Sequence, residues 1–148
     1  MLKRSLVLFP LVAVLVAVLL AGARPASAST VYLFRTPSGN IGCAYSFGLD
    51  GFAAPTVRCD IRSRLRPEPK PPANCRLDSG DSIEIFRLGP ATLVCHGDTA
   101  IDPSAPVLAY GHTWRRSGLT CVSQRIGLRC FNRSGHGFFL SRQSWQIF

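Results

Sequence analysis

Residues Cys130 to Arg142 read C-F-N-R-S-G-H-G-F-F-L-S-R and set His136 between two glycines ahead of an apolar run. An imidazole in such a turn becomes a general base when a carboxylate such as Asp98 orients it. Without a visible partner it reads equally as the tip of a strand's leading turn. A serine nucleophile would want a strained G-x-S-x-G turn, which is absent, and Ser134 stands too close to His136 for the usual triad logic. Asp78, Asp81 and Glu84, or Asp98 and Asp102, could supply a carboxylate pair for glycoside hydrolysis. The same stretches, D-S-G-D and G-D-T-A-I-D-P-S, are ordinary turn compositions. The spacing of a calcium loop is missing, and no cofactor is expected. These residues name no reaction by themselves.

Binding chemistry is easier to find. Arg58, Arg62, Arg64, Arg66, Lys70 and Arg76 crowd around R-P-E-P-K-P-P, where four prolines forbid a central strand and favour an extended polyproline II path. Arg62, Arg64 and Arg66 make this the candidate anion-binding edge, against the plainer reading of a solvated connector. Aromatic residues do not interleave with these arginines, so the stacking part of single-stranded nucleic-acid recognition is missing there, and no nucleic-acid partner is expected. In H-T-W-R, an arginine over the Trp114 indole would make a platform for sugars, while the size of Trp114 suits a core position. N-R-S at Asn132 is formally a glycosylation acceptor, of consequence only in a eukaryotic secretory route.

The chain carries 17 Lys and Arg against 8 Asp and Glu, a formal net charge of +9. Lys3 and Arg4 precede an apolar run from Leu6 to Ala23, and A-R-P-A-S-A follows with the small-x-small pattern of signal cleavage. Residues 1–28 therefore read as a secretory signal peptide, and 29–148 as one exported domain that stays basic after Lys3, Arg4 and Arg24 are removed. The apolar run is long enough that an uncleaved anchor is the alternative. Basic exported proteins attract anionic envelope polymers, although the same charge also serves solubility.

All six cysteines, Cys43, Cys59, Cys75, Cys95, Cys121 and Cys130, lie in the exported part, and an even count in an oxidising compartment reads as a disulfide framework. Zinc would need clustered thiolates, and the chain has no C-x-x-C, so no metal site is expected. In T-C-V-S-Q-R-I-G-L-R-C-F, a hairpin with Gln124 to Gly127 in its loop sets Cys121 opposite Cys130, close enough to bridge. Spacing alone does not fix the remaining connectivity; the same logic, applied less strictly to I-G-C-A-Y-S-F and T-V-R-C-D-I, joins Cys43 to Cys59 and leaves Cys75 for Cys95. A short internal repeat accompanies these pairs: S-G-N-I-G-C-A-Y-S resembles S-G-L-T-C-V-S, and V-R-C-D-I resembles L-R-C-F-N.

What positions these residues is a series of short β-favouring runs: V-Y-L-F, I-G-C-A-Y-S-F, T-V-R-C-D-I, S-I-E-I-F-R, A-T-L-V-C-H, P-V-L-A-Y, G-L-T-C-V-S, G-L-R-C-F and G-F-F-L-S. No exported segment keeps a helical period, and R-Q-S-W near Trp145 offers a helical turn at most. The pattern predicts an all-β domain, a small disulfide-bridged sandwich or barrel of short antiparallel strands.

F-R-T-P-S-G-N-I-G-C (Phe34 to Cys43), V-L-A-Y-G (Val107 to Gly111) and C-x8-C followed by N-R-S-G-H-G-F-F-L-S-R together resemble a family of small secreted actinobacterial proteins that carry a domain of unknown function. The resemblance runs from Phe34 to about Arg142. It implies export, bacterial origin and a single cysteine-bridged domain, and it transfers no catalytic role. The expectation is a non-catalytic binding or structural module that meets an anionic envelope polymer, a carbohydrate or another secreted protein. The alternative is a small secreted hydrolase using His136 with Asp98.

Overall fold

The computed structural model describes residues 29–48 and 53–148. The segment 1–28, read from the sequence as a signal peptide, lies outside the described residues. Among those described, no helix is long and apolar enough to cross a membrane.

The first five strands, β1 (Thr30–Arg35), β2 (Ile41–Phe47), β3 (Thr56–Ile61), β4 (Ser82–Phe86) and β5 (Thr92–Leu93), form one antiparallel sheet in chain order. The next five, β6 (Thr113–Arg116), β7 (Leu119–Gln124), β8 (Gly127–Asn132), β9 (Gly137–Leu140) and β10 (Trp145–Ile147), form a second sheet, again in chain order. Each sheet is a meander, so every neighbour is also a sequence neighbour and the turns set the register. Period-2 alternation turns Ile41, Cys43 and Tyr45, then Val57, Cys59 and Ile61, then Ile83 and Ile85 inward from the first sheet. Leu119 and Cys121, Leu128 and Cys130, and Phe138 and Leu140 meet them from the second, with β4 against β8 and β9. The fold is an all-β sandwich with one core between two sheets.

The short sequence repeat becomes a structural one. Cys43 faces Cys59 across β2 and β3, and Cys121 faces Cys130 across β7 and β8; both pairs are bridged, each with Cα atoms 4.1 Å apart. Such spacing belongs to a non-hydrogen-bonded antiparallel pair. The equivalence continues outward, since Val94 N donates to Ser82 O at 3.1 Å and Phe148 N to Gly137 O at 3.0 Å at matching positions. Cys75–Cys95 is the third bridge and ties the connector to the segment that follows β5.

Three local readings change. P-V-L-A-Y makes no strand; Val107 forms only an isolated parallel bridge to Arg35, with Arg35 N donating to Pro106 O and Leu108 N to Arg35 O. T-W-R-R and W-Q-I, in contrast, are strands β6 and β10, and R-Q-S-W is no helical turn. Both are sheet edges whose partners, β7 and β9, supply the hydrogen bonds that their own composition does not advertise. The loop between β7 and β8 is also shorter than expected, because Gln124 pairs with Gly127 and leaves Arg125 and Ile126 as the turn.

Residues 95–109 cross the outer face of the first sheet as a strap. Gly42 permits this: a Cβ there would stand 2.7 Å from Ile101 Cα. The strap is held by the Asp60 carboxylate, buried to 2% exposure, which accepts hydrogen bonds from Ala100 N (2.7 Å), Thr99 Oγ1 (3.1 Å), Ser82 Oγ (2.6 Å) and the Arg58 guanidinium (2.9 Å). A buried carboxylate tolerates its desolvation only when its lone pairs are filled in this way.

Candidate functional site: a basic groove at one end of the sandwich

T-P-S-G is a turn by composition, with Pro37 at the second position and Gly39 at φ +67°, closed by Gly39 N donating to Thr36 O at 2.9 Å. It joins β1 to β2 and projects from one end of the sandwich. Arg62 is fastened to it: its backbone N–H donates to Asn40 O (2.9 Å) and its Nε to Gly39 O (3.1 Å). From the second sheet, the Arg125–Ile126 turn and the β9–β10 turn reach the same place. Ser141 Oγ accepts from Ser144 N (3.0 Å) and donates to Ser144 O (2.9 Å), so Arg142 and Gln143 stand at the tip of that turn. Tyr110, carried in by the strap, lies under Arg125, whose guanidinium carbon is 5.5 Å from the ring centroid.

These turns enclose a groove of about 530 Å³ lined by Thr36, Ser38, Asn40, Gln124, Arg142 and Gln143 together with the residues just named. A second hollow of about 420 Å³ shares Ser38, Asn40 and Arg142 with it and adds Arg35, Arg62 and Asp102. Arg35, Arg62, Arg125 and Arg142 have no salt-bridge partner among the described residues. Asp102 is the one carboxylate on the lining. Its hydrogen bonds from Ser104 Oγ and Ser104 N, both 2.7 Å, hold it below the usual carboxylate range, so it stays ionised and occupied with its own turn. The result is a concave site of guanidinium, amide and hydroxyl groups with a net positive field.

The other sequence candidates are dispersed. Asp98 accepts from Arg58 Nη1 at 2.7 Å, and that hydrogen bond holds its carboxyl below the usual range. His136 sits on the β8–β9 turn, where its N–H donates to Asn132 Oδ1 (3.2 Å) and its carbonyl accepts from Asn132 N (2.9 Å). No hydrogen bond joins Asp98 and His136, and the His136 ring has none among the described residues. Arg64 is tied along the connector to Glu68 (3.0 Å) and to Ser79 O (2.5 Å), and Arg66 is exposed on it, so Arg62 alone of the three lines either hollow, the second one. Trp114 is half-buried and stacks on Phe34 with centroids 5.2 Å apart, closing the sandwich between edge strands β1 and β6. The arginine on an aromatic ring nearby is Arg116, 5.2 Å over Tyr45, rather than Arg115 on the indole.

Two polar clusters that resemble chemistry are fully engaged. His96, 8% exposed, directs Nε2 to Asp81 Oδ1 (2.8 Å) and Nδ1 to Asp98 O (2.6 Å), beside the strap anchor. Asn132 Nδ2 donates to Phe86 O and Gly89 O while its Oδ1 accepts from Ser134, so the formal glycosylation sequon is a buried turn clamp. Among the described residues, no cluster of three or more His, Cys, Asp or Glu could hold a metal ion.

One signal for the groove stood in the sequence without being singled out. All 8 acidic residues lie at or before Asp102, whereas Arg115, Arg116, Arg125, Arg129, Arg133 and Arg142 all follow it. The second sheet is therefore wholly cationic, and its turns give the groove Arg125 and Arg142.

The molecule thus belongs to the class of small disulfide-bridged β-sandwich proteins, and its three bridges indicate an oxidising extracellular setting. Its family follows directly: the family of unknown function DUF6636 matches residues 13–148, and the chain belongs to it. No curated protein and no solved structure matches the chain.

Proposed function

We propose that the protein is a non-catalytic binding module of the bacterial envelope or its surroundings, which takes an anionic, hydroxyl-rich ligand into the end groove. The observation that carries this reading is a pair of hollows that share Ser38, Asn40 and Arg142, one adding Arg125 and Gln143 and the other Arg35 and Arg62, so that arginines of both sheets line one end of the sandwich. Guanidinium forks recognise carboxylate and phosphate in two-point geometry, and amides and hydroxyls serve sugar hydroxyls. A hydrolytic reading has no comparable support, since Asp98 is engaged by Arg58 and His136 faces no carboxylate within hydrogen-bond reach among the described residues.

The test is retention on insoluble envelope material at increasing salt. Arg62→Gln with Arg142→Gln is expected to abolish retention, while Arg64→Gln with Arg66→Gln leaves it unchanged. Retention that resists salt and tolerates the groove pair would refute the reading.

A further inference from the structure

The outer faces of the two sheets differ. On the first, the strap covers β2 and β3 and answers Arg58 with Asp60 and Asp98. On the second, the position matching Arg58 is Arg129, no strap crosses among the described residues, and Asp60 is replaced by Phe131. Arg129 is exposed and lies 4.0 Å over the Phe148 ring centroid. Phe148 and Phe139 rest on the sheet because Gly137 and Gly127 leave room: Cβ atoms there would stand 2.6 Å from Phe148 Cζ and Phe139 Cζ respectively. Thr113, Val122, Arg129 and Phe139 form one cross-strand row, and Arg115, Thr120 and Phe131 the next.

This face is continuous at both ends with a hollow. Gln124 and Gly127 belong to the end groove. At the other end, Arg115, Thr120 and Phe131 line a hollow of about 440 Å³ together with Arg116 and Arg133. Strand β7 runs between the two, and its 6 residues span roughly 20 Å at ~3.3 Å each. No Asp or Glu occurs anywhere on β6–β10.

We infer that the second sheet's outer face is a track for an extended acidic polysaccharide, which enters the end groove and continues past Arg129 to Arg115 and Arg133. The inference rests on the proposed role of the groove and names the ligand's class and path. Flat rings alternating with guanidinium and amide groups suit sugar rings that carry carboxylates, through stacking and paired hydrogen bonds. A lipid surface is a poorer match, because the large exposed apolar residue of this sheet, Ile126, stands alone at the tip of the β7–β8 turn and the phenylalanines lie down on the sheet. A nucleic acid is poorer again for a protein whose three disulfides indicate an extracellular setting.

The experiment measures binding of oligogalacturonate trimer and octamer to the full exported chain, with an oligothymidylate octamer and vesicles of equal phosphatidylglycerol and phosphatidylcholine as competitors. The octamer is expected to bind at least about tenfold more tightly than the trimer, because successive contacts on one ligand act at high effective concentration. Arg115→Gln with Arg129→Gln should remove that advantage and leave trimer binding intact. Thr113→Glu, at an exposed position on the same row, should do likewise without touching a packed ring. Trimer and octamer binding equally, both dependent on Arg62 and Arg142, would overturn the track and leave the groove standing. Failure of both lengths to bind would overturn track and groove together. Arg129-dependent binding of oligothymidylate or vesicles in preference to the octamer would overturn the polysaccharide.

Discussion

Cys59 Sγ and Cys130 Sγ lie 4.0 Å apart in the centre of the core, so the two cross-strand disulfides pack against each other at matching positions of the two sheets. Each cysteine is at most 1% exposed. Hydrophobic contact between bridges makes one pack against the other, as two halves of one cluster. Replacing Cys43 and Cys59 by alanine is expected to cost about 2–5 kcal/mol. Combined with the same change at Cys121 and Cys130, the loss should depart from additivity by about 0.5–3 kcal/mol, whereas Cys75–Cys95 should add independently. Denaturant titration of the three single and three double bridge deletions measures both terms.

Asp60 fastens the strap from beneath. Asp60→Ala leaves Arg58, Ser82 and Ala100 N without their shared acceptor and is expected to cost about 3–5 kcal/mol. Hydrogen exchange at Ala100 should accelerate more than exchange at Ile83 on β4, because the strap loses its anchor before the sheet loses its ladder. Equal acceleration at both would show that Asp60 supports the whole sandwich instead.

Acid pH should act on two carboxylates with opposite sign. Burial of Glu84 beside β3 raises its carboxyl above the ordinary 4.5, with attraction to Arg58 opposing that rise. The folded chain then holds this proton to higher pH than the unfolded chain does, so stability is lost as pH rises from about 4.5 through the raised value. Glu84→Gln is expected to raise Tm at neutral pH and to be silent in strong acid. Asp98 works the other way. The Arg58 hydrogen bond lowers its carboxyl below 3.8, so its contribution is present above 3.8 and lost as pH falls through the lowered value. Because Asp98 is 78% exposed, Asp98→Asn should cost no more than about 1 kcal/mol. Thermal melts of both variants across pH check the signs.

Gly137 and His136 are neighbours with unequal tolerance. A Cβ on Gly137 would run into the Cys130 carbonyl oxygen and the Phe148 ring, so Gly137→Val is expected to destabilise by about 3 kcal/mol or more. His136→Ala removes a half-exposed ring and should stay within about 0.5 kcal/mol. The reverse order of melting temperatures would restore His136 as a structural or chemical centre.

The architecture was largely legible because its information is local. Alternating runs around Cys43, Cys59, Ile83, Cys121, Cys130 and Phe138 announce inward faces, and meander order asks each strand to pair with the next. Cys121–Cys130 is therefore legible in its own hairpin, and the second sheet's likeness to the first in the repeat. Edge strands were harder. T-W-R-R and W-Q-I are edge strands that pair on one side only, with β7 and β9, while P-V-L-A-Y has a strand's composition and only one bridge. The groove was harder still, because Arg62, Arg125 and Arg142 lie far apart in the chain and meet only where turns of both sheets share one end.

By itself the sequence determined an all-β pattern, a disulfide framework and a positive charge, since strand period, cysteine parity and composition are properties of neighbours or of sums. Only the tertiary structure decided which charges act together. It sent Arg58 and Asp98 to the strap, Arg64 to Glu68, and left Arg35, Arg62, Arg125 and Arg142 free to converge, because pairing depends on distance in space after the sheets stack, and the linear order of residues does not encode that distance.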